Sequence, residues 1–429
     1  MIDTDHYVNR SDMSTSLDLT ADMVNEAREK LVLHWNYRGL SEIPEAVRHV
    51  GAQVQEIYLK WNELKSLPIW LADFASVTNL YLYGNKIERL PDTLGLMTKL
   101  TVLDLSANRL EELPDCLGSL EALRSLLLNQ NYIASLPTSM SKLRNLEYLC
   151  LSGNQLVVLP EWLGSLPNLA ELFADNNNLR EIPNRLTLST SLDTLSVCSN
   201  KLSHLPLNGF ASSPQIRFDS NSRLNYLSLP VFCQLVSKLR QSPSQGNTIA
   251  YGCFGSTSNT TLRSANVNIQ LSLVPESNPS EHSKSIVIEL PRQLLVVHGF
   301  CDNGVVSLWE LSLRKVYSTR FRHTLDICLD PMDPSSVLVQ RQVIERWKTA
   351  EYYTKLLTHC DFISNGPTSV CMRNSCDEPI FTEAWIAFGI GRNALFVPTI
   401  VIFCSHRCAV EFVKSSSFTE NYDMYVIQS

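Results

Sequence analysis

The 429-residue sequence predicts an α/β solenoid, with a curved parallel sheet on one wall and short helices or 3₁₀ turns on the convex wall. Two periodic features predict it. Asparagine recurs at 62, 85, 108, 131, 154, 177 and 200, at a constant interval along the chain. Proline recurs at 44, 68, 91, 114, 137, 160, 183 and 206, and its interval matches that of asparagine at every step after the first, which is one position longer. A fixed period of this length is typical of stacked coils.

Each unit follows L-x-x-L-x-L-x-x-N-x-L-x-x-L-P-x-x-L-x-x-L, which is the leucine-rich repeat pattern. In one unit Leu103 and Leu105 alternate with a polar residue, which predicts a short strand with one buried face. Beyond the asparagine, Pro114, Leu117 and Leu120 are three apart. This spacing predicts a short helix or 3₁₀ turn with proline at its first position.

About nine units span residues 31–232, and each is expected to need one asparagine at its corner. The turn after each strand leaves backbone groups inside the stack, and stacked amide side chains can satisfy the turns above and below. The end units are irregular, as capping units are. Arg38 stands at the first asparagine position, and two to three extra residues separate Asn221 from Pro230. Residues 1–30 are predicted to be an acidic segment with a capping helix, and "LTADMVNEAREKL" (19–31) is the candidate for that helix.

Residues between the strand leucines are predicted to lie on the concave sheet face. Exposed aromatic and arginine side chains dominate protein interfaces, although scattered surface aromatics are also common on strands. Tyr58, Trp61, Tyr81 and Tyr83 fall on adjacent strands, which favours one exposed patch for a folded protein partner. The candidate partner-binding residues are Tyr58, Trp61, Tyr81, Tyr83, Asp104, Arg124, Leu127, Tyr148, Phe173 and Asp175.

The repeat rhythm stops after Pro230, and the rest of the chain has a different composition. The predicted segments are a Ser/Asn-rich linker with short strands (233–300), a mixed helical region (301–362), a cysteine-rich module (363–415) and a tail (416–429). "SIVIEL" and "QLLVV" are the short candidate strands, and "SLWELSLRKV" and "QVIERWKTAEYYTKLLTHC" are the candidate helices.

One stretch of the helical region resembles the elongin-binding box of cullin-ligase substrate receptors. Leu308, Leu311, Ser312 and Val316 are expected to share one helical face, which suits a groove on a partner. Ser312 stands where that box has a cysteine. An ordinary amphipathic helix packed on its own domain is the alternative interpretation.

Four cysteines near the C-terminus form two pairs, spaced C-x₄-C and C-x₃-C. They are Cys371 and Cys376, followed further along the chain by Cys404 and Cys408. Two cysteines in a turn, a hairpin, and two cysteines at the start of a helix predict a closed, structural zinc site similar to a treble clef. His406 is a substitute ligand and Cys360 a weaker one. Four unrelated buried thiols or a redox pair are the alternatives.

Charge and motif content narrow the function classes. A formal net charge of −7 argues against binding to nucleic acid. No window approaches 18 apolar residues, and the polar N-terminus lacks a secretory core, so we expect no membrane partner and reduced cysteines in an intracellular protein, cytoplasmic or also nuclear. The sequence holds no Walker A, H-E-x-x-H or G-x-S-x-G stretch, and no enzyme activity is predicted.

The order of these pieces resembles the family of leucine-rich repeat-containing proteins 58 and 28. The resemblance rests on "LHWNYRGLSEIP", the regularly spaced coils with their leucine–proline pairs, "SLWELSLRKVYSTRF", "CDEPIFTEAW" and "IFCSHRCAVEF". It implies a non-enzymatic intracellular recognition protein, and it favours docking of the helix onto elongin, as in a substrate receptor of a cullin–RING ubiquitin ligase. The alternative is a signalling scaffold or a regulatory subunit for a phosphatase or small GTPase. Such partners would still bind after removal of residues 300–429.

Overall fold

The computed structural model describes residues 10–241, 268–275, 284–291, 293–299, 304–316, 367–373, 376, 378–391, 398–415 and 422–428. These residues form two compact units. The first contains the described residues up to Asn178 together with Ser191–Val197. The second contains Leu179–Thr190 and the described residues from Cys198 onward.

Nine short strands lie in sequence order in one parallel sheet, which confirms the predicted solenoid. They are β1 (Val32–His34), β2 (Glu56–Tyr58), β3 (Asn79–Tyr81), β4 (Val102–Asp104), β5 (Ser125–Leu127), β6 (Tyr148–Cys150), β7 (Glu171–Phe173), β8 (Thr194–Ser196) and β9 (Gln215–Arg217). Equivalent residues pair across neighbouring strands, so Leu80 lies beside Leu103 and Tyr81 beside Asp104. The central leucines of the strands are fully buried.

Seven 3₁₀ helices follow the strands, as the three-residue spacing predicts. They span Glu45–Val47, Ile69–Asp73, Asp92–Leu96, Asp115–Ser119, Thr138–Lys142, Glu161–Ser165 and Asn184–Leu188. The proline lies one position before each helix rather than at its first residue. Pro68, for example, has an extended backbone (φ −68°, ψ 142°), and its carbonyl accepts a 3.0 Å hydrogen bond from the amide of Leu71. Its fixed φ therefore serves the entry into the turn.

The asparagines satisfy the corner of each coil, as predicted. Asn131 Nδ2 donates 3.0 Å bonds to the carbonyls of Leu105 and Leu128, and its Oδ1 accepts a 3.0 Å bond from the amide of Leu110. These partners belong to its own coil and the preceding one. The same pattern repeats in the next coil, where Asn154 Nδ2 donates a 2.9 Å hydrogen bond back to the carbonyl of Leu128.

Helix α1 (Arg10–Glu29) packs against the first coil and begins further toward the N-terminus than the sequence suggested. Its Met23 and Ala27 are fully buried. Glu26 accepts a 2.7 Å bond from Trp35 Nε1 and pairs with Arg38 at 3.0 Å. The residue at the first asparagine position thus uses its side chain to hold the capping helix.

The second unit contains helices α2 (Leu229–Gln241), α3 (Leu308–Val316) and α4 (His406–Ser415). Besides β9, the strands among its described residues are β10 (Leu227–Ser228), β11 (Asn268–Pro275), β12 (Lys284–Glu289), β13 (Val296–Gly299), β14 (Ser369–Val370), β15 (Pro379–Ile380), β16 (Glu383–Gly391), β17 (Pro398–Phe403) and β18 (Tyr422–Gln428). Seven of them form a sheet in the order β10-β17-β16-β18-β11-β12, with β13 beside β16. The other two, β14 and β15, form a two-stranded hairpin.

The core of the second unit lies around the antiparallel β16–β17 pair. Trp385, Phe388, Ile402 and Phe403 are fully buried there, and Phe412 of α4 packs on Phe403 with ring centroids 5.1 Å apart. The sequence indicated only short strands in this region. β18 lies in residues called a tail, and the candidate helix "QVIERWKTAEYYTKLLTHC" lies outside the described residues. No helix among the described residues is long and apolar enough to cross a membrane.

Candidate protein-binding faces and candidate metal centre

The face of the repeat sheet opposite the buried leucines, called here the outer sheet face, carries a row of stacked rings on β1–β3. His34 stacks on Tyr58 with centroids 4.9 Å apart, and Tyr58 stacks on Tyr81 at 4.5 Å. Leu80 and Leu82 on either side of Tyr81 are fully buried, whereas Tyr81 is half-buried. The in-register parallel pairing therefore brings equivalent side chains into contact.

A second aromatic row lies at the corner that follows these strands. Tyr37 stacks on Trp61 with ring centroids 6.5 Å apart, and Trp61 and Tyr83 form a T-shaped pair with centroids 5.1 Å apart. Tyr37 is 74% exposed and Trp61 is 49% exposed. The two rows together form the aromatic cluster, which consists of His34, Tyr37, Tyr58, Trp61, Tyr81 and Tyr83.

Two members of the aromatic cluster adopt a backbone conformation that bulky residues avoid. Tyr37 has φ 57° and Trp61 has φ 55°, in the left-handed region. The left-handed φ is a feature of the corner of the repeat, because the equivalent residue of each later coil also has a positive φ: Gly84, Ala107, Gln130, Gly153, Asn176, Ser199 and Ser220. What distinguishes the first two coils is that this corner carries a large aromatic side chain.

Polar groups fix the position of the stacked tyrosines. Lys60 Nζ lies 4.7 Å above the Tyr81 ring and 4.0 Å from Asp104 Oδ2. Tyr58 OH donates a 2.9 Å bond to Glu56, and this bond together with burial raises the pKa of Tyr58 to about 12. The phenol therefore stays protonated, and its hydrogen bond persists, at neutral pH.

The remaining predicted partner-binding residues do not join the aromatic cluster. Arg124 is exposed and pairs with Glu147 at 3.2 Å, and Leu127 is half-buried. Tyr148 and Phe173 form a separate pair, with centroids 5.5 Å apart, and burial raises the pKa of Tyr148 to about 12.

The two predicted aspartates mainly support their surroundings. Asp104 is only 6% exposed and accepts a 3.1 Å bond from the amide of Ser106. Asp175 Oδ1 accepts a 2.7 Å bond from Ser196 Oγ. Both carboxylates therefore hold neighbouring polar groups in place.

Sequence reasoning missed His34, Tyr37 and Lys60. His34 and Tyr37 precede Tyr58 and Trp61 by the same interval that separates the first two repeat prolines, Pro44 and Pro68. This shared interval identifies His34 and Tyr37 as equivalents of Tyr58 and Trp61. It is hard to recognise in the sequence because the first coil lacks the corner asparagine that marks the other repeats.

Helix α3 exposes the face that resembles a docking box. Leu308 is 82% exposed, Leu311 is 45% exposed, and Ser312 is exposed with its hydroxyl donating 2.7 Å to the carbonyl of Leu308. Val316 is the last residue of the helix. We call Leu308, Leu311 and Ser312 the α3 docking face. The helix packs on its own unit through another face.

The packed face of α3 carries two buried charges that sequence reasoning missed. Glu310 is fully buried and Arg314 is 7% exposed, and Arg314 Nε donates 2.9 Å to Glu310 Oε1. The carboxylate also accepts bonds from the amide of Phe381 (2.9 Å) and from the amide and hydroxyl of Thr382 (2.7 and 2.9 Å). Four donors thus compensate the buried charge.

The N-terminus of α3 is held by a second polar group. The amide of Ser307 donates 2.8 Å to Glu383 Oε2, and the other carboxylate oxygen lies 2.9 Å from His298 Nε2. Burial acts to raise the pKa of Glu383, but the bonds from Ser307 and His298 outweigh it and lower that pKa. Ser307 Oγ also accepts a 3.2 Å bond from the amide of Glu310, as an N-cap does.

The structure brings the four predicted cysteines together. Their sulfurs all lie within 4.8 Å of one another, with Cys404 Sγ 3.6 Å from both Cys376 Sγ and Cys408 Sγ. Zn–S bonds of about 2.3 Å in a tetrahedron require sulfurs about 3.8 Å apart, which this arrangement fits. Cys371 and Cys376 follow β14 before β15, and the other two lie at the start of α4, as predicted. The four thiols could therefore hold a tetrahedral metal ion.

The surroundings of the sulfurs shift three of the thiol pKa values, in different directions. Burial raises the pKa of Cys376 to about 11, and hydrogen bonding to Cys371 together with burial raises that of Cys404. For Cys408 burial also acts upward, but bonds from Ser405 and Arg373 outweigh it and lower its pKa. A bound divalent ion would deprotonate its thiol ligands, since its charge dominates the local field.

The comparisons with known proteins concern the repeats. Residues 76–133 and 122–179 match the family model described as leucine rich repeat. No curated protein sequence matches the chain.

Two solved structures show the extent of similarity. A leucine-rich repeat protein of Leptospira interrogans is 22% identical, with a TM-score of 0.45 over 51% of this chain and 60% of that one. The ectodomain of the membrane receptor kinase GASSHO1/SCHENGEN3 from Arabidopsis thaliana, in complex with CASPARIAN STRIP INTEGRITY FACTOR 2, is 31% identical, with a TM-score of 0.37 over 44% of this chain and 23% of that one. The chain thus spans less than two thirds of either protein.

Proposed function

We propose that this protein is a non-enzymatic protein-interaction module that binds a protein partner through the outer sheet face of β1–β3. The aromatic cluster is the observation that carries the proposal. Its six rings come from three consecutive coils and remain partly or largely exposed, whereas the leucines between them fill the core. Tyrosine and tryptophan supply large contact area at low entropic cost, and they dominate interface hot spots.

The test is proximity labelling in cells with the full chain and a variant in which Tyr58, Trp61, Tyr81 and Tyr83 are alanine. We expect the variant to lose a defined set of labelled proteins. A matched control replaces Ile69 and Leu96 by alanine, since these are 70% and 67% exposed on the 3₁₀ helices. Loss of the same proteins from the control, or retention of all of them by the aromatic variant, would contradict the proposal. Circular dichroism confirms that both variants fold.

In its sharper form the proposal makes the protein a substrate receptor of an elongin/cullin–RING ubiquitin ligase, with the α3 docking face binding elongin. The exposure of Leu308 and Leu311 supports this, because the helix buries its other face in its own unit. Apolar residues at helical i and i+3 spacing suit a groove on a partner. The outer sheet face would then capture the protein to be ubiquitinated.

Affinity purification tests the sharper form. Leu308→Arg is expected to abolish recovery of elongin and a cullin, while Val305→Arg, at an 88% exposed position before the helix, is expected to retain both. Recovery of both partners by Leu308→Arg would refute the docking proposal. Phosphatase or GTPase partners that survive removal of residues 300–429 would instead favour the scaffold alternative.

We further propose that the cysteine cluster, which consists of Cys371, Cys376, Cys404 and Cys408, binds one structural zinc ion. We also propose that the protein is intracellular, in the cytoplasm or also in the nucleus. Four thiolates fill a tetrahedral coordination sphere and leave no position for a substrate. The separations among the four sulfurs support zinc over unrelated thiols. Reduced thiols are required for this ligation, which agrees with a reducing compartment.

A further inference from the structure

Helix α3 is attached to both halves of the cysteine cluster. Arg314 Nη1 donates a 3.0 Å hydrogen bond to the carbonyl of Cys404, which belongs to the second cysteine pair. Glu310 binds the amides of Phe381 and Thr382, just beyond the β15 strand that follows Cys376. One buried ion pair therefore spans the two segments that carry the candidate metal ligands.

The short length of α3 makes its position depend on contacts with the rest of its unit. The helix spans only Leu308–Val316, and helices this short are unstable alone. Among its described side chains Leu313 is the only buried apolar one, at 2% exposure. The bonds of Glu310 and Arg314, together with the bond from Ser307 to Glu383, therefore contribute to the position of the helix.

The attachment is expected to be all-or-none. Removing the partners of a buried charge leaves it uncompensated, which is strongly unfavourable. Displacement of Cys404 or of Phe381 and Thr382 would remove donors or acceptors from the pair. The helix is therefore expected either to keep its full set of bonds or to leave its site, which exposes both charges to water.

We propose that metal binding by the cysteine cluster and seating of α3 are thermodynamically coupled through Glu310 and Arg314. The coupling itself stands on the geometry of the second unit. Its consequence, that the metal-loaded protein presents the α3 docking face, rests on the proposed function. Linkage is reciprocal, so a change that unseats the helix must also weaken the binding of the metal.

Hydrogen–deuterium exchange on the full chain tests the coupling. Zinc-loaded protein is compared with protein treated with a chelator. Chelation is expected to speed exchange in residues 304–316 as well as around the cysteines, while residues 79–173 of the repeats stay unchanged. Unchanged exchange in 304–316 after the metal has been removed would overturn the proposal.

Arg314→Met tests the reciprocal effect, because it removes the bond to Cys404 and the ion pair with Glu310 while the amide donors to Glu310 remain. Zinc affinity, measured by competition with a chelator, is expected to fall about tenfold, within the usual range for coupled sites. Lys315→Met, on the exposed side of the same helix, is the control and should keep wild-type affinity. Equal affinity of Arg314→Met and wild type would overturn the coupling. Co²⁺ absorption shows whether the four-thiolate site itself survives in each variant.

Elongin binding separates this proposal from the proposed function. If chelation speeds exchange in 304–316 and the zinc-loaded protein does not bind elongin, the coupling stands and the receptor proposal fails. If elongin binds equally well with and without zinc and exchange does not respond, the coupling fails and the receptor proposal stands.

Discussion

The indole of Trp61 lies directly over Gly84. A Cβ built on Gly84 would be 2.8 Å from Cδ2 and from Cε3 of Trp61, closer than real Cβ contacts allow. Gly84 also has φ 74°, a conformation that glycine adopts without strain. The glycine thus allows the left-handed backbone at the corner of its coil and leaves room for the indole of Trp61.

Gly84→Ala is expected to displace Trp61 and weaken capture of the protein partner. Gly153→Ala is the matched control, since Gly153 occupies the same corner with φ 72° and its Cβ would meet Gln130 at an acceptable 3.4 Å. Both variants should lose about 1–2 kcal/mol of stability from left-handed strain. Only Gly84→Ala should change the Trp61 fluorescence, measured against a Trp61→Phe background. Identical spectra for the two variants would contradict this role.

Asn131→Ala is expected to destabilise the repeats by about 1–3 kcal/mol, because it leaves the buried amide of Leu110 unpaired. The carbonyls of Leu105 and Leu128 each lose one of two amide donors and keep the bond from Asn108 or Asn154. Asn145→Ala removes an exposed 2.8 Å bond to the carbonyl of Glu121 and should cost far less. Urea unfolding followed by circular dichroism measures both. If the two variants unfold at the same urea concentration, the side-chain bonds of the corner asparagine do not stabilise the repeats.

The repeat fold could be predicted because each of its contacts recurs. A misjudged residue in one coil is corrected by the equivalent residue in the next, and Asn62, Asn85 and Asn108 make the same local bonds. The cysteine cluster was predictable for a similar reason, since tetrahedral thiolate ligation requires a limited set of spacings. Both signals are local in sequence.

The second unit could not be predicted to the same extent, because its structure depends on distant contacts. β16 and β17 are short apolar runs that periodicity alone does not distinguish from helix. Glu310 and Arg314 stand four apart, which in a sequence indicates an ordinary exposed ion pair. Their burial depends on donors at Phe381 and Thr382, which lie far along the chain beyond the helix.

Cys376→Ser is expected to weaken zinc retention, because three thiolates and a hydroxyl form a poorer tetrahedral site. Native mass spectrometry should find one zinc ion per wild-type chain. Cys233→Ser changes an exposed thiol of the same unit outside the cluster and should retain one ion. Chelation should lower the thermal stability of the wild type, since structural zinc contributes to folding. Equal zinc content in both variants would contradict the four-thiolate site.

The attachment of α1 to the first coil is expected to weaken in acid through Glu26. Burial acts to raise the pKa of Glu26, but hydrogen bonds from Trp35 and Arg38 and the charges of Arg38 and Lys30 outweigh it and lower that pKa from its ordinary value. A carboxylate with a lowered folded-state pKa stabilises the protein above the unfolded pKa, and this contribution is lost as the pH falls through the folded value.

Glu26→Gln should therefore be less stable than wild type at pH 7, by about 1–2 kcal/mol for the lost charge-assisted bonds. The difference should shrink as the pH falls below the ordinary glutamate pKa and through the lowered folded-state pKa of Glu26, where the wild-type carboxyl becomes protonated. Glu29→Gln, at an exposed position of the same helix, is the control and should match wild type at both ends of the range. Urea unfolding at pH 7 and pH 3 measures these differences. If the difference in free energy of unfolding between Glu26→Gln and wild type stays constant down to pH 3, the carboxylate charge is not the cause of the difference. Protonation changes only that charge.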